Sequence, residues 1–323
     1  MKSKFSLVRF LAVYGIVFVL IAMVVFFSLA SKNFFALDNL LNILRQVSIV
    51  GIAAVGMTFV LISGGIDLSI GSIIGVAAVS GAMLMKTGIQ SGIACLIALA
   101  ICALLGLINA FFINELKVPP LIGTLGMMTS LRGLAFIITD GLPVFDFSDT
   151  FSLFGQGYIW IIPVPVVVMV AVFILGAIFL QKTKYGRYIY GVGGNEEATR
   201  LSGISVKKIK YIVYAASGFL GGLAGLVLLG RINSGQPKAG AGYEMDIITA
   251  AVLGGVSISG GEGRVGFVIV GVMIMGVLTN GMIMLSVDEY VQQVLKGLVL
   301  IAAVALDRMI QSRKDKMTVG KEA

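Results

Sequence analysis

Long apolar runs decide what this chain can become. A helix needs about 20 apolar residues to cross a hydrocarbon core about 30 Å thick. Runs of that kind recur near 10–30, 47–62, 70–86, 91–113, 119–138, 161–181, 211–230, 246–258, 265–285 and 290–306, with the second and eighth short for a span. They predict an all-α fold, a polytopic membrane bundle of about ten transmembrane helices. Charged residues are only 12% of the 323 positions and apolar residues 58%. That is about half the charged share of a soluble domain, so lipid has to act as solvent for much of the surface. The first run reads as a signal anchor and not a cleaved signal peptide. It exceeds about 15 apolar residues, and Ser28-Leu29-Ala30 leads into Lys32-Asn33-Phe34-Phe35 and not into a polar mature segment.

The positive charges orient the bundle. Lys2, Lys4 and Arg9 precede the first run. Lys182, Lys184, Arg187, Arg200, Lys207, Lys208 and Lys210 crowd the loop 182–210, and Arg308, Arg313, Lys314, Lys316 and Lys321 follow the last run. Ten spans place all three segments on one side, which the excess of Lys and Arg makes cytoplasmic, with both termini inside. Segment 139–160 carries Asp140, Asp146 and Asp149 without Lys or Arg and is expected outside. A basic tail can also bind nucleic acid, but beside ten spans orientation explains it, and no nucleic-acid partner is expected.

Residues 1–323 read as one membrane domain, because the longest hydrophilic stretch, loop 182–210, is too short to fold alone. Any energy-supplying domain must then be another chain. No G-x-x-x-x-G-K-[ST] phosphate loop occurs. The G-x-G-x-x-G match Gly261-Glu262-Gly263-Arg264-Val265-Gly266 lacks a preceding strand and a soluble fold, so chance in a chain of 42 glycines explains it. Histidine is absent, which removes the usual metal ligand, catalytic base and proton relay. Cys95 and Cys102 lie seven apart on one apolar run and read as small core residues. No enzyme activity, metal or cofactor is expected on this chain.

Two stretches resemble each other: Leu61-Ile62-Ser63-Gly64-Gly65-Ile66-Asp67-Leu68-Ser69, and Val252-Leu253-Gly254-Gly255-Val256-Ser257-Ile258-Ser259. Each closes a short run, and a glycine-rich helix start follows. Paired, glycine-interrupted segments are the best sequence pointer to a transport pathway, so an internal repeat with discontinuous helices is expected; chance in a Gly/Ser-rich membrane protein is the alternative. Irregular backbone at membrane depth is tolerated only under protein or around a watery cavity. Asp67 or Ser69 can cap the restarted helix. Asp67 either holds this break or touches substrate, since an acid at that depth is a functional candidate. Ser63, Ser69, Asn109, Thr124, Ser257, Ser259 and Asn280 are candidate pathway groups, each with helix packing as its plainer alternative.

Arg132 and Lys296, the other candidate intramembrane charges, are long enough to snorkel to the outer interface. Ser286-Val287-Asp288-Glu289 has capping-box form and starts the last helix. Gly71/Gly75, Gly218/Gly222 and Gly221/Gly225 have the spacing of close helix packing. Within loop 182–210, Asn195 can cap a short helix whose start suits Glu196 and Glu197. Arg200 stands near its other end, and Gly203 supplies a left-handed stop. Two turns are unstable alone, so either a partner surface holds this helix or it is a passive capped loop.

Three stretches carry a family resemblance: Asn33-Phe34-Phe35 with Asn39-Leu40-Leu41-Asn42-Ile43-Leu44, GMTFVLISGGIDLSIGS from Gly56, and GRYIYGVGGNEEATRLSGI from Gly186. From about Asn33 to Asp307 the chain resembles the ribose-type permease subunits of bacterial ABC sugar importers. The resemblance implies a permease dimer in the cytoplasmic membrane, cytoplasmic ABC ATPase subunits that use ATP and Mg, and an external sugar-binding protein. It makes Gly193 and Gly194, then Asn195, Glu196, Glu197, Ala198, Thr199, Arg200, Leu201, Ser202 and Gly203, the element seated in the ATPase. Lys32, Arg231 and Gln236 become candidates for docking the binding protein. A neutral sugar needs no fixed counter-charge, so a pathway of glycine and hydroxyl groups around Gly64, Gly65, Gly254 and Gly255 fits. The rivals are an ion-coupled secondary transporter, which usually needs intramembrane acids or histidines, and an intramembrane enzyme.

Overall fold

The computed structural model describes residues 7–145, 147 and 151–322. Lys2, Lys4, Asp146 and Asp149 lie outside the described residues, as do the side chains of Arg9, Arg313, Lys314, Lys316 and Lys321.

The helices follow the apolar runs. They are α1 (Leu7–Ala30), α2 (Leu37–Ile62), α3 (Ile70–Lys86), α4 (Ser91–Asn114), α5 (Pro120–Ile138), α6 (Ser152–Gln156), α7 (Val164–Lys182), α8 (Lys184–Gly194), α9 (Glu196–Leu201), α10 (Val206–Ile232), α11 (Tyr243–Leu253), α12 (Val265–Met284) and α13 (Glu289–Glu322). A two-residue antiparallel pair, β1 (Tyr158–Ile159) with β2 (Ile162–Pro163), interrupts them. Among the described residues, seven helices are long and apolar enough to cross a membrane: α2, α4, α5, α7, α10, α12 and the Glu289–Met309 part of α13. Residues Gly15–Ala30 of α1, and α3, are shorter apolar helices.

Two expected runs differ from what the chain builds. The second is short only as an apolar window: the helix starts ten residues earlier, at Leu37, because Asn39, Asn42 and Arg45 find partners within the bundle. The eighth is not a continuous span. Its helix α11 has 11 residues, about 16 Å at the α-helical rise, and irregular backbone continues from Gly254 to Arg264.

Helix α2 forms the centre, with every residue from Val47 to Ile62 buried. It packs against α7, α10, α11 and α12, while α10 also packs against α3 and α4. The glycine pairs explain the closeness. A Cβ at Gly218 would meet the Cys102 carbonyl oxygen of α4, and one at Gly225 the Ile74 carbonyl oxygen of α3. Gly71 and Gly75 are different: they face irregular backbone, where a Cβ would stand 2.7 Å from the Gly240 and Ala239 carbonyl oxygens respectively. Cys102 is fully buried under α10, Cys95 is half-buried, and both are free thiols. The start of α13 is capped by Asp288, whose Oδ1 accepts from Tyr290 N at 2.8 Å. Ser286 takes no part in a capping box, because its backbone is left-handed there (φ 55°).

Candidate functional site

Asp67 is fully buried, and its carboxylate closes the break between α2 and α3. Oδ1 accepts from Ser69 N (3.1 Å) and Ser69 Oγ (2.6 Å), and Oδ2 accepts from Ser217 Oγ on α10 (2.8 Å). Asn109 Nδ2 on α4 donates to Ser69 Oγ at 2.8 Å. The preceding Ile66 carbonyl accepts from Thr124 Oγ1 on α5 (3.2 Å) and Tyr214 Oη on α10 (3.4 Å). Three helices thus hold segment 66–69, which satisfies the polar backbone of a break at membrane depth. Ser69 occupies the cap position of α3 but spends its hydroxyl on Asp67.

The two similar stretches end their helices alike. Gly64 has φ 81°, with Gly64 N bonded to Leu61 O and Gly65 N to Val60 O. Gly255 has φ 79°, with Gly255 N bonded to Val252 O and Val256 N to Ala251 O. Both are Schellman ends requiring a left-handed residue that glycine adopts without strain. Each is followed by a side chain that accepts from the backbone two residues on: Asp67 from Ser69 N, and Ser257 Oγ from Ser259 N at 3.1 Å. The left-handed residue is the first glycine of one pair and the second of the other, a one-residue offset that the sequences did not reveal.

The first end, and residues 260–263 beyond the second, meet the corner between α8 and α9. Gly261 N donates to Ile62 O at 2.8 Å. A Cβ at Gly193 would strike that same carbonyl, and one at Gly260 would lie 2.8 Å from Gly193 O and 2.9 Å from Gly64 Cα. Tyr190 Oη on α8 donates to Gly263 O at 2.7 Å. Beside this crossing lies a cleft of about 250 Å3, lined by Ser63, Gly64, Gly65, Gly193, Gly194, Asn195, Glu196, Lys210, Tyr214 and Ser259, together with Ile113, Pro120 and Val192.

Helix α9 has the expected caps. Asn195 Oδ1 accepts from Ala198 N at 2.8 Å, and Gly203 is left-handed (φ 81°). Arg200 donates to both Glu197 oxygens (2.6 and 3.1 Å), which holds that carboxyl below its usual range. Glu196 pairs with Lys210 of α10 at 2.8 Å. Thr199 is buried against Gly191, whereas Leu201 is 77% exposed. Ser202 Oγ bonds back to Ala198 O at 2.9 Å.

Of the expected pathway residues, Ser63, Gly64, Gly65 and Ser259 line the cleft. Asp67, Ser69 and Asn109 form the buried network behind it, and Thr124 clamps its backbone. Gly254 packs on Val268, Gly255 is exposed, and Ser257 is buried in its own turn. Asn280 stands apart from them, exchanging two hydrogen bonds with Asn39 (2.9 and 3.1 Å) at the end of the bundle opposite α9. At that same end Lys32 and Gln236 are exposed. Arg231 is half-buried and donates to Asn42 Oδ1 at 3.1 Å.

The two charges expected to snorkel do not. Arg132 Nη1 donates to Pro237 O (3.1 Å) and Ala239 O (2.6 Å), clamping the irregular segment that leads into α11. Lys296 Nζ pairs with Asp246 Oδ2 at 2.7 Å. Asp67 is therefore not the sole buried acid: Glu244 and Asp246 of α11 are both buried as well. They escape a reading of the sequence because they stand two apart at the start of the eighth apolar run, with no local motif around them. Ser217 and Tyr214 were missed because each lies inside an apolar, glycine-rich run.

Comparison with known proteins shows which family the chain resembles. The chain is 42% identical over 316 residues to the ribose import permease protein of Haemophilus influenzae, covering 97% of this chain and 98% of that one. It is 43% identical to the ribose import permease protein of Bacillus subtilis, over 90% of each. Against the L-arabinose transport system permease protein of Escherichia coli it is 38% identical, over 97% of this chain and 95% of that one. No solved structure matches. Residues 39–304, nearly all of the helical bundle, match the profile described as branched-chain amino acid transport system / permease component, and the chain belongs to that permease family.

Proposed function

We propose that this chain is the pore-forming subunit of an ATP-driven importer of a monosaccharide, ribose, moving sugar from an external binding protein to the cytoplasm by alternating access. The relatives' names supply the sugar. The geometric observation that carries the reading is the polar cleft at the α8–α9 corner, which both interrupted segments reach. Its lining offers hydroxyls, backbone groups and a paired Glu196–Lys210, which suits a neutral polyhydroxylated solute.

In this reading one membrane domain makes ten crossings, with α11 and its irregular extension as the eighth. The two glycine-ended stretches are halves of an internal repeat, and both termini are cytoplasmic. Helix α9 seats in an ABC ATPase that uses ATP and Mg, and hydrolysis belongs to that separate chain. A second permease copy completes a homodimer. The binding protein docks at the opposite end, where Lys32 and Gln236 are exposed while Arg231 is largely committed to Asn42.

The test is uptake of labelled ribose into proteoliposomes holding this chain, its ATPase and its binding protein. Uptake that needs all three and internal ATP is the expected result. Transport of another pentose or a hexose in its place would change only the substrate. Uptake by this chain alone, driven by an ion gradient, would overturn the reading.

A further inference from the structure

The crossing of three glycine stretches has no side chain in it. Ile62 O, at the last residue of α2, accepts from Gly261 N, and the Gly193 backbone is so close to that carbonyl that no Cβ fits between them. Gly260 and Gly261, both left-handed, press on Gly193, Gly194 and Gly64. Side chains can absorb a displacement by changing rotamer, but a backbone–backbone contact cannot. Energetic coupling travels through packed rigid elements, and here α8 meets residues of both interrupted segments backbone to backbone.

The corner that reaches the crossing is itself rigid. Helices α8 and α9 are joined by Asn195 alone. Its N–H donates to Gly191 O at 2.9 Å, and its side chain accepts from Ala198 N. One residue therefore ties both helices, and α9 cannot tilt without carrying Gly193. Tyr190 adds a second tie, from α8 to Gly263 O.

We propose that Gly193 is the positioning residue through which displacement of α9 reaches both interrupted segments at once, so that the Gly64/Gly193/Gly260–Gly261 crossing is the mechanical joint of the transport cycle. This rests on the proposed seating of α9 in an ATPase, and the experiment separates the two. Its control lies outside the crossing and the cleft: a Cβ at Gly92, at the exposed start of α4, meets nothing within 4 Å.

Gly193→Ala and Gly92→Ala are compared in the full complex for ATPase co-purification, ATP hydrolysis and ribose uptake. Gly193→Ala is expected to retain the ATPase and its hydrolysis while uptake per ATP falls about tenfold, the scale of an ordinary coupling between sites. Gly92→Ala is expected to stay within about twofold of the parent. Equal uptake by the two variants, or loss of ATPase binding by Gly193→Ala alone, would overturn the joint. If Gly193→Ala does not fold, Tyr190→Phe decides. It removes one hydrogen bond without changing shape, so uptake per ATP should fall about threefold, and unchanged uptake overturns the proposal. A parent complex without ATP-dependent uptake refutes the importer reading itself, and the joint falls with it.

Discussion

Replacing Asp67 with Ala tests whether its carboxylate is the clasp of the α2–α3 break. Three donors converge on it: one backbone N–H, from Ser69, and two hydroxyls, from Ser69 and Ser217. A buried donor left without an acceptor costs about 1–3 kcal/mol. The backbone N–H bears that cost in full, whereas the hydroxyls recover part of it by rotating to other acceptors. Ser69 also holds Asn109, so the loss spreads to α4. The sum is about 3–4 kcal/mol. Asp67→Asn keeps the shape and one oxygen, and its new amide can donate to the Ser217 hydroxyl. About 1 kcal/mol is expected there.

With a few degrees of Tm per kcal/mol for domains of this general size, Asp67→Ala should lower the apparent Tm by about 5–10 °C and Asp67→Asn by about 2 °C. The assay is survival of the monodisperse peak of the detergent-purified protein after heating, at one fixed heating rate because such unfolding is often irreversible. Transport by Asp67→Ala should also fall further than transport by Glu262→Ala, whose side chain is on an exposed residue. If Asp67→Ala keeps the parental Tm, the carboxylate is not holding the break. The pathway role for Asp67 would then regain priority.

Glu196→Arg replaces the Lys210 partner with a like charge at the start of α9. It should weaken coupling to the ATPase while membrane insertion stays intact, and unchanged sugar-stimulated ATP hydrolysis would count against that. Lys296→Met leaves Asp246 buried without its cation, a loss of about 3–5 kcal/mol for a buried pair. Adding Asp246→Leu should restore much of the lost thermal stability, and a silent Lys296→Met would show the pair to be dispensable.

Much of this architecture was legible because lipid imposes a length rule. Apolar windows located α3, α4, α5, α7, α10 and α12 nearly to their ends, and the start of α13 but not its end at Glu322. The rule failed where protein and not lipid is the solvent. The first turns of α2 are polar because Asn39, Asn42 and Arg45 reach Asn280, Arg231 and Tyr158, contacts between positions far apart in the chain. The caps of α9 were legible because capping is local, set by residues within one turn. The crossing of Gly193 with Gly260 and Gly261 was not, since nothing local to either stretch states that they touch. Arg132 and Lys296 were misjudged for the same reason. Snorkelling is the default for a lone cation, and neither cation is alone once α11 folds back into the bundle.

The buried acids bear on the energy source. Asp67, Glu244 and Asp246 would be the carriers of a proton-coupled mechanism, which requires an acid that can exchange partners between two faces. Asp67 has both oxygens engaged by groups on α3 and α10. Asp246 is pinned to α13 by Lys296, and Glu244 lies against Gly71 of α3, one turn from the Gly75 that faces Arg132. Asp67 holds the break after α2 and Asp246 ties α11 to α13, while Glu244 packs on Gly71 with its Oε2 buried and without a hydrogen-bond partner among the described residues. Ser63 and Ser259, which line the cleft, are uncharged. With Asp67 and Asp246 committed to structural joints, and the cleft's own Glu196 and Lys210 paired with each other, hydroxyl and glycine groups are left to meet a neutral solute whose driving force is applied from another chain.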